Sequence, residues 1–492
     1  MKKLKTLIAA LMASTMVLTM TGCSEEEPVS ATNSGGTTAG SVEMEDEAVT
    51  EAAKALTDKL LYPDLKVSKR IKWMAWWPMD ETDGAAILFK EVYGIPETGE
   101  NKEDEGRIFD YYAVGWDERY DKLGAAISSD QSPDLFPFEM ADFPYGIVYG
   151  RYQPVDDIVD FDNEKWANYK ESNELFMFKG QHYTAFAGYS INAYMWYKKS
   201  NIEAIGADDP YELFMQGKWD WDAFLDISRK WQQSGTTDEP RYATDGFAVE
   251  NSFLISTGMP LISFDGTKAI SNLYSAEVER ALTDKGIVSI LEKENLRYPR
   301  HELNSYDVNY AAWANDTNLF FCEGTWRYVE TLQTFKRKYK WADDEIKVVV
   351  FPKDPKADKH YVQLKVDPEM WVKGSQNKEG VQAWYDCKVT AVNDSTLHKA
   401  ANDKAIRNPK TNYTQEILDY VDLITNYNGD SPVTPVVDFS TSLGPSVSAD
   451  ESDAPLRSLT SRVYLVGDSY VQLRGENEKV INAAIDDLNK QI

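Results

Sequence analysis

From residue 70 onward, apolar runs and polar turns follow one another in a strand–turn–helix rhythm. Residues 70–77 (RIKWMAWW) read as a first strand, 78–83 as a turn carrying acids, and 84–93 as a helix. That order opens a parallel α/β lobe, whose ligands lie beyond the carboxyl ends of its strands. A second strand follows at 108–114, a helix opened by Trp116-Asp-Glu-Arg-Tyr120 runs to about Ser128, and Ser132-Pro-Asp134 enters a third strand. An aromatic, β-rich stretch, 181–199 (QHYTAFAGYSINAYMWYKK), sets Tyr183, Phe186, Tyr189, Tyr194, Trp196 and Tyr197 around a centre of Gly188, Ser190, Asn192 and Ala193. Its aromatic, β-rich composition makes it a buried strand. The polar, glycine-containing centre suits a chain that crosses between two lobes and lines the cleft between them; an ordinary core strand with one bend has the same composition. Residues 43–61 and 477–492 are helical in pattern. Trp219-Asp-Trp221-Asp222 reads as a helix start capped by Asp220 or Asp222. The Pro-, Ser- and Val-rich 430–453 reads as a loop that can reach the cleft.

With 492 residues the chain exceeds one ordinary core, so two or more lobes are expected. The net charge of −28 argues against nucleic acid, which needs clustered Lys and Arg, and against docking on anionic lipid by charge alone. Abundant Tyr, Phe and Trp supply rings for cores and also platforms for the apolar faces of sugars. His182, His301, His360 and His398 are scattered without ligand spacing. No metal and no cofactor is expected; there is no regular EF-hand loop, and Asp-rich turns leave a structural calcium open.

The amino terminus changes the picture. Lys2, Lys3 and Lys5 form a basic region, and 7–20 is an apolar stretch too short to span a bilayer. It ends Leu18-Thr-Met-Thr-Gly-Cys23, which resembles the bacterial lipoprotein signal, with Met20 where that signal usually has leucine. By that resemblance residues 1–22 are a signal peptide and Cys23 carries the lipid, palmitate among its chains, holding the protein on the extracytoplasmic face of the cell membrane. Residues 23–66 are then a lipidated tether, flexible where Ser, Thr, Gly and Glu predominate. Cys322 and Cys387 remain; an exported pair can form a disulfide, and two buried thiols are the expectation.

Catalytic signatures are missing. There is no phosphate-binding G-x-x-x-x-G-K-[ST] loop, since Gly217-Lys218 lacks the first glycine and the hydroxyl, and no H-E-x-x-H. Gly188-Tyr-Ser190-Ile-Asn192 is one residue short of a G-x-S-x-G elbow and leads into strand instead of helix. A carboxylate pair for glycoside hydrolysis is not excluded among 80 acids.

The ordered segments YDKLGAAISSDQSPDLF, YQPVDDIVD, GQHYTAFAGYSINAYMWYKKSNIEAIGADDPYELF and GKWDWDAFLDISRK resemble the extracellular solute-binding protein family 1, the carbohydrate-binding subunits of ABC importers. FFCEGTWRYVE, KVVVFPKDP and MWVKGSQNKEGVQAWYDCKV continue the likeness over roughly residues 68–400. The resemblance implies an α/β, two-lobed periplasmic-binding-protein-like fold of type II, with discontinuous lobes joined by a hinge. The first lobe would take 67–189 plus 370–440, the second 192–362 plus 450–492, with crossings near 183–197 and 361–373.

A sugar offers apolar C–H faces rimmed by hydroxyls, so its site needs aromatic planes with carboxylates and amides. The resemblance assigns Trp326, in Gly324-Thr-Trp326, as a stacking ring. Trp76 and Trp77 alternate on their strand, one toward the core and one toward the cleft, and Trp77 is assigned to the ligand with Asp80 and Glu81. Phe138, Glu139 and Asp142 follow the third strand; Tyr189 and Asn192 sit at the first crossing, Asp367 and Trp371 at the second. Asn251 and Phe253 are further candidates from the second lobe. The implied protein is no enzyme: a monomeric lipoprotein that captures a carbohydrate, an oligosaccharide by expectation, and delivers it to the permease subunits of an ABC importer. A surface glycoside hydrolase, or a binding protein for another solute such as a peptide, are the alternatives.

Overall fold

A computed structural model describes residues 46–188, 190–299, 310–408, 413–425, 431–444, 446–448 and 454–491. Cys23, the lipoprotein signal and Tyr189 lie outside these residues, as does the side chain of Trp326.

Two four-stranded sheets organise the chain. In the first, the strands Ile71–Ala75, Phe109–Ala113 and Leu135–Pro137 run parallel, with Ile71–Ala75 central, and Glu369–Trp371 adds an antiparallel edge against Leu135–Pro137. In the second, Ala193–Lys198 and Asn318–Gly324 are the inner strands, flanked by Ile346–Val349 and Tyr242–Gly246. Each sheet therefore collects segments far apart in sequence, as a chain that crosses between lobes must.

The central strand of the first sheet is buried on both faces, as parallel strands are when helices cover them. Ile71, Trp73 and Ala75 point into one apolar cluster with the helices Gly84–Tyr93 and Lys378–Val392. Met74, and Trp76 just beyond, face the other cluster, which also holds the second sheet. Helix Gly84–Tyr93 starts where Asp83 accepts from the amide of Ala86 (2.7 Å) and ends at Gly94, whose φ of +76° suits a residue without Cβ. Likewise Asp220 caps the helix Trp221–Gln233 by accepting from Ala223 N–H (3.0 Å).

At the opposite end of the first strands, Arg70 and Asp110 form a buried ion pair (2.5 Å; side chains 5% and 1% exposed). The Glu100 amide donates to the second carboxylate oxygen (2.7 Å), and Arg70 Nη2 donates to Asn101 O (2.6 Å). A charge so placed is tolerable only because its hydrogen-bonding capacity is met.

The apolar run around residue 190 divides between the sheets. Thr184 bridges Met370 at the edge of the first sheet, while Ala193–Lys198 lies in the middle of the second. Between them Ser190–Ile191 pairs antiparallel with Tyr361–Lys365, Ile191 facing Leu364 and Ser190 facing Lys365. A third segment, Thr434–Val436, runs parallel to Tyr361–Lys365. The stretch expected as plain loop thus adds a strand to this small central sheet. It continues through the 3-10 turn Phe439–Thr441, where Ser442 Oγ donates to Met140 O (2.8 Å).

Other expectations need adjustment. The tether expected through residue 66 gives way to packed structure at 46: helix Glu47–Lys54 buries Val49, Ala52 and Ala53 in the first cluster, and Arg407 pairs with its cap Asp46 (2.8 Å). Cys322 and Cys387, by contrast, are both buried free thiols as expected. Among the described residues no helix is long and apolar enough to cross a membrane.

Candidate functional site

Beyond the carboxyl ends of the three parallel strands stands a wall of half-buried rings and two guanidinium groups, Arg119 buried and Arg151 half-buried. Trp76 leaves the central strand, and its ring meets Trp116 edge to face (centroids 4.9 Å, 85°) and Phe136 (6.3 Å). The Arg119 guanidinium lies 3.6 Å from the Trp116 ring centroid and 4.4 Å from that of Tyr120, and its Nη1 donates to Trp116 O (2.6 Å). Arg151 follows, its guanidinium 5.0 Å from the Tyr120 ring centroid. Stacking cations against ring faces draws on the quadrupole of each ring, more strongly where water is thinned.

Asp142 holds the far end of this wall. Its carboxylate binds Arg151 Nη1 and accepts from Tyr152 OH (2.7 Å). Burial pushes its pKa up to about 6, against the pull of Arg151 and of the Tyr152 hydrogen bond. Gly146 is required beside it, because a Cβ there would sit 2.3 Å from Asp142 Oδ2.

The other sequence-assigned residues of the first lobe fall elsewhere. Trp77 turns to the opposite cluster and packs on Trp73 (5.7 Å), so Trp76 is the ring on the wall. Asp80 is exposed and closes a local turn with Thr82 N–H and Oγ (both 2.8 Å). Glu81 is buried at the beginning of the second strand, the end away from the wall, where it accepts from Ile108 and Phe109 N–H (3.1 and 3.2 Å) beside Arg107 and Lys90. Phe138 packs inside, on Phe143 (5.9 Å) and Phe176 (5.3 Å); Glu139 is half-buried near Tyr120. Trp371 is 7% exposed in the first cluster.

At the crossings, amides gather. Asn192 N–H donates to Gln363 O (2.9 Å) and its side chain to Gln363 Oε1 (3.0 Å). Asn251, in the helix Val249–Ile255 that follows strand Tyr242–Gly246, donates to the same Oε1 (3.0 Å) and to Asp438 Oδ2 (3.2 Å). Asn192 O accepts from Thr325 N–H (3.2 Å), which opens the 3-10 turn Thr325–Arg327 containing Trp326. Next to that turn Glu323 is 2% exposed and accepts from Gly324 N–H (2.8 Å). Phe253 is fully buried in the core. On the first-lobe side of the crossings a cavity of about 230 Å³ is lined by Phe186, Gly188, Lys365, Asp367 and Lys388. Both lysines there are neutralised, Lys365 by the exposed Asp367 and Lys388 by Glu369 (2.7 Å).

The structure therefore brings together Asp142 with the unassigned Trp76, Trp116, Arg119, Tyr120 and Arg151, and Asn192 and Asn251 with the unassigned Gln363 and Asp438. Trp116 and Arg119 are near neighbours in sequence, Trp116 in the turn that leads into helix Arg119–Ser128 and Arg119 its first residue. Gln363 and Asp438 carried no such signal, being 75 or more positions from one another and from Asn251.

No protein-family model and no curated protein sequence matches this chain. Solved structures do. An ABC substrate-binding protein from Listeria monocytogenes in complex with cycloalternan aligns with a TM-score of 0.55 at 15% identity, over 85% of this chain and 99% of that one. The sugar-binding protein MalE from Xanthomonas citri gives 0.56 at 16%, over 85% and 98%. The galacto-N-biose/lacto-N-biose I-binding protein of an ABC transporter from Bifidobacterium longum gives 0.58 at 13%, over 86% and 97%. This chain has the two-lobed α/β fold of these sugar-binding proteins, with discontinuous lobes joined by a hinge.

Proposed function

We propose that this protein is an extracytoplasmic substrate-binding lipoprotein that captures a carbohydrate between its lobes and hands it to the permease of an ABC importer. The observation that carries this reading is the wall of Trp76, Trp116, Arg119 and Tyr120, half-buried rings and a cation standing beyond strand ends. Rings so placed match the apolar face of a pyranose, and the amides and carboxylates of the hinge match its hydroxyls. No bond is made or broken. The lobes close about the crossings near 183–197 and 361–373, with 434–441 as a third, and ligand contacts from both sides favour the closed form. A lipid on Cys23 keeps the monomer beside its permease. Of the residues first assigned, Asp142 and Asn192 stay in the proposed site, with Glu139 and Trp326 at its margins; Trp77, Glu81, Phe138 and Trp371 are given structural roles.

A thermal-shift series with maltotetraose, lacto-N-biose and tagatose tests the reading. A bound sugar at about one hundred times its Kd stabilises by about 2.7 kcal/mol and raises Tm by several degrees. No shift with any saccharide, or shifts with peptides instead, overturns it.

A further inference from the structure

Four polar side chains form one chain across the hinge: Asn192, Gln363, Asn251 and Asp438. Asp438 is 8% exposed. Its Oδ1 accepts from Ser440 N–H (3.0 Å) and from the Ser440 hydroxyl, and its Oδ2 faces Asn251. Burial raises the pKa of this carboxyl, while the Ser440 and Asn251 donors lower it; in its ionised form it has only acceptors, so Asn251 turns its NH2 toward it. The same Nδ2 lies 3.0 Å from the Gln363 side chain, which must therefore accept there through Oε1. Oε1 lies 3.0 Å from the Asn192 amide as well, so Asn192 must donate too. One carboxylate thus fixes the orientation of three amides that could otherwise flip. What remains on the outer side of the chain is Gln363 Nε2, together with the Oδ1 atoms of Asn192 and Asn251. Among the described residues none of these three atoms has a hydrogen-bond partner, and all three residues are half-buried, not sealed.

We propose that Asp438 sets the donor–acceptor polarity of this chain, and thereby makes Gln363 a specificity-determining donor flanked by two acceptors. The chain borders the turn Thr325–Arg327 through Asn192 and the start of helix Val249–Ile255 through Asn251, both beyond the carboxyl ends of second-sheet strands. A ligand there is selected for an accepting oxygen, such as a ring or glycosidic oxygen, between two donating hydroxyls. This ligand preference rests on the sugar-binding reading; the polarity itself does not.

Replacing the carboxylate by an amide inverts the chain. In Asp438→Asn the Ser440 N–H still requires an oxygen on its side, so the new NH2 faces Asn251. Asn251 flips to accept, Gln363 flips to donate inward, and Oε1 is left outward. Hydrogen exchange of side-chain amides in 15N-glutamine- and 15N-asparagine-labelled protein reads this without ligand. In the native protein the Gln363 Nε2 protons exchange freely and those of Asn192 and Asn251 are protected; Asp438→Asn slows Gln363 exchange by about tenfold, the worth of one hydrogen bond. Protected Gln363 protons in the native protein, or unchanged exchange in the variant, overturn the proposal. Gln363→Glu tests the same polarity without touching the buried carboxylate. Glutamate accepts from both asparagines, so their protection persists; with the opposite polarity those protons would be unprotected in the native protein and would gain protection only in the variant, as the amides flip to donate. With maltotetraose as probe, Gln363→Glu binds about tenfold more weakly, one donor having been lost. Equal affinity overturns the role of Gln363. Absence of maltotetraose binding to the native protein counts against the sugar reading and leaves the exchange result to decide the polarity.

Discussion

The wall at the first sheet holds its shape by packing. Trp76, Trp116 and Tyr120 are kept in place by each other, by Phe136 and by interleaved guanidinium groups, and each is replaceable only at the loss of its own area and contacts. The amide chain at the hinge buries little area and is held by direction: which atom donates at Gln363 is decided through Asn251 by Asp438. In the wall a substitution subtracts; in the chain it can reverse. A ligand site with one region of each kind gets affinity from the first and discrimination from the second.

With the wall as binding surface and the remainder of its sheet as support, the two are separated most sharply at the other end of the same strands. Arg70→Ala leaves Asp110 buried and without its cation, which costs about 3–5 kcal/mol of stability. Chemical denaturation should show that loss, while calorimetry on the folded protein finds sugar affinity unchanged. Weakened affinity at full occupancy of the folded state would mean that the wall cannot be separated from its support.

Next in size is Trp116→Ala. A central, half-buried ring that anchors ligand accounts for about 2 kcal/mol or more of binding, so affinity should fall at least about thirtyfold. Arg119 keeps Tyr120 as a face to lie on, so Tm should move by only a few degrees. A large loss of stability with little loss of affinity would make the wall a piece of core, and the contrast with the hinge would disappear.

The contrast also explains what could be read in advance. Strand, turn and helix at 70–93 were legible because the strand is apolar on both faces, Asp83 is a cap and Gly94 ends the helix. Alternation says that Trp76 and Trp77 face opposite ways, but which side holds the cleft depends on where the helices Gly84–Tyr93 and Lys378–Val392 pack. Glu81 looked like a free turn acid because nothing local shows that its turn folds back to the start of the second strand. The amide chain joins residues 192, 251, 363 and 438, and a hydrogen bond over such separations leaves no periodicity to read.

The smallest effect concerns Asp142, the buried carboxylate that anchors the wall. Asp142 carries a pKa near 6 because burial disfavours its charge. In the unfolded chain an aspartate titrates near 3.9, so between about pH 4 and 6 the native state holds a proton that the unfolded state has released. Stability from this group is therefore greatest in acid and declines as pH rises through that window, by roughly 2 kcal/mol. His360 acts in the opposite sense. Burial lowers its pKa to about 4, so the unfolded chain takes up a proton below about 6.5 that the native state refuses, and stability falls as pH falls. Between pH 4 and 6 the two slopes oppose each other in the native protein. Asp142→Asn keeps its oxygen as acceptor for Arg151 and turns its NH2 to the Tyr152 hydroxyl, which then accepts, while removing the titration and with it the slope that opposes His360. Urea midpoints taken from pH 4 to 7 should rise more steeply with pH in the variant than in the native protein, converging on parallel curves above about pH 6.5. Parallel curves throughout would mean that Asp142 stays ionised down to ordinary aspartate pH. The wall would then be fixed by an ionised carboxylate across that range, and its anchor would contribute to binding geometry without contributing to the pH dependence of stability.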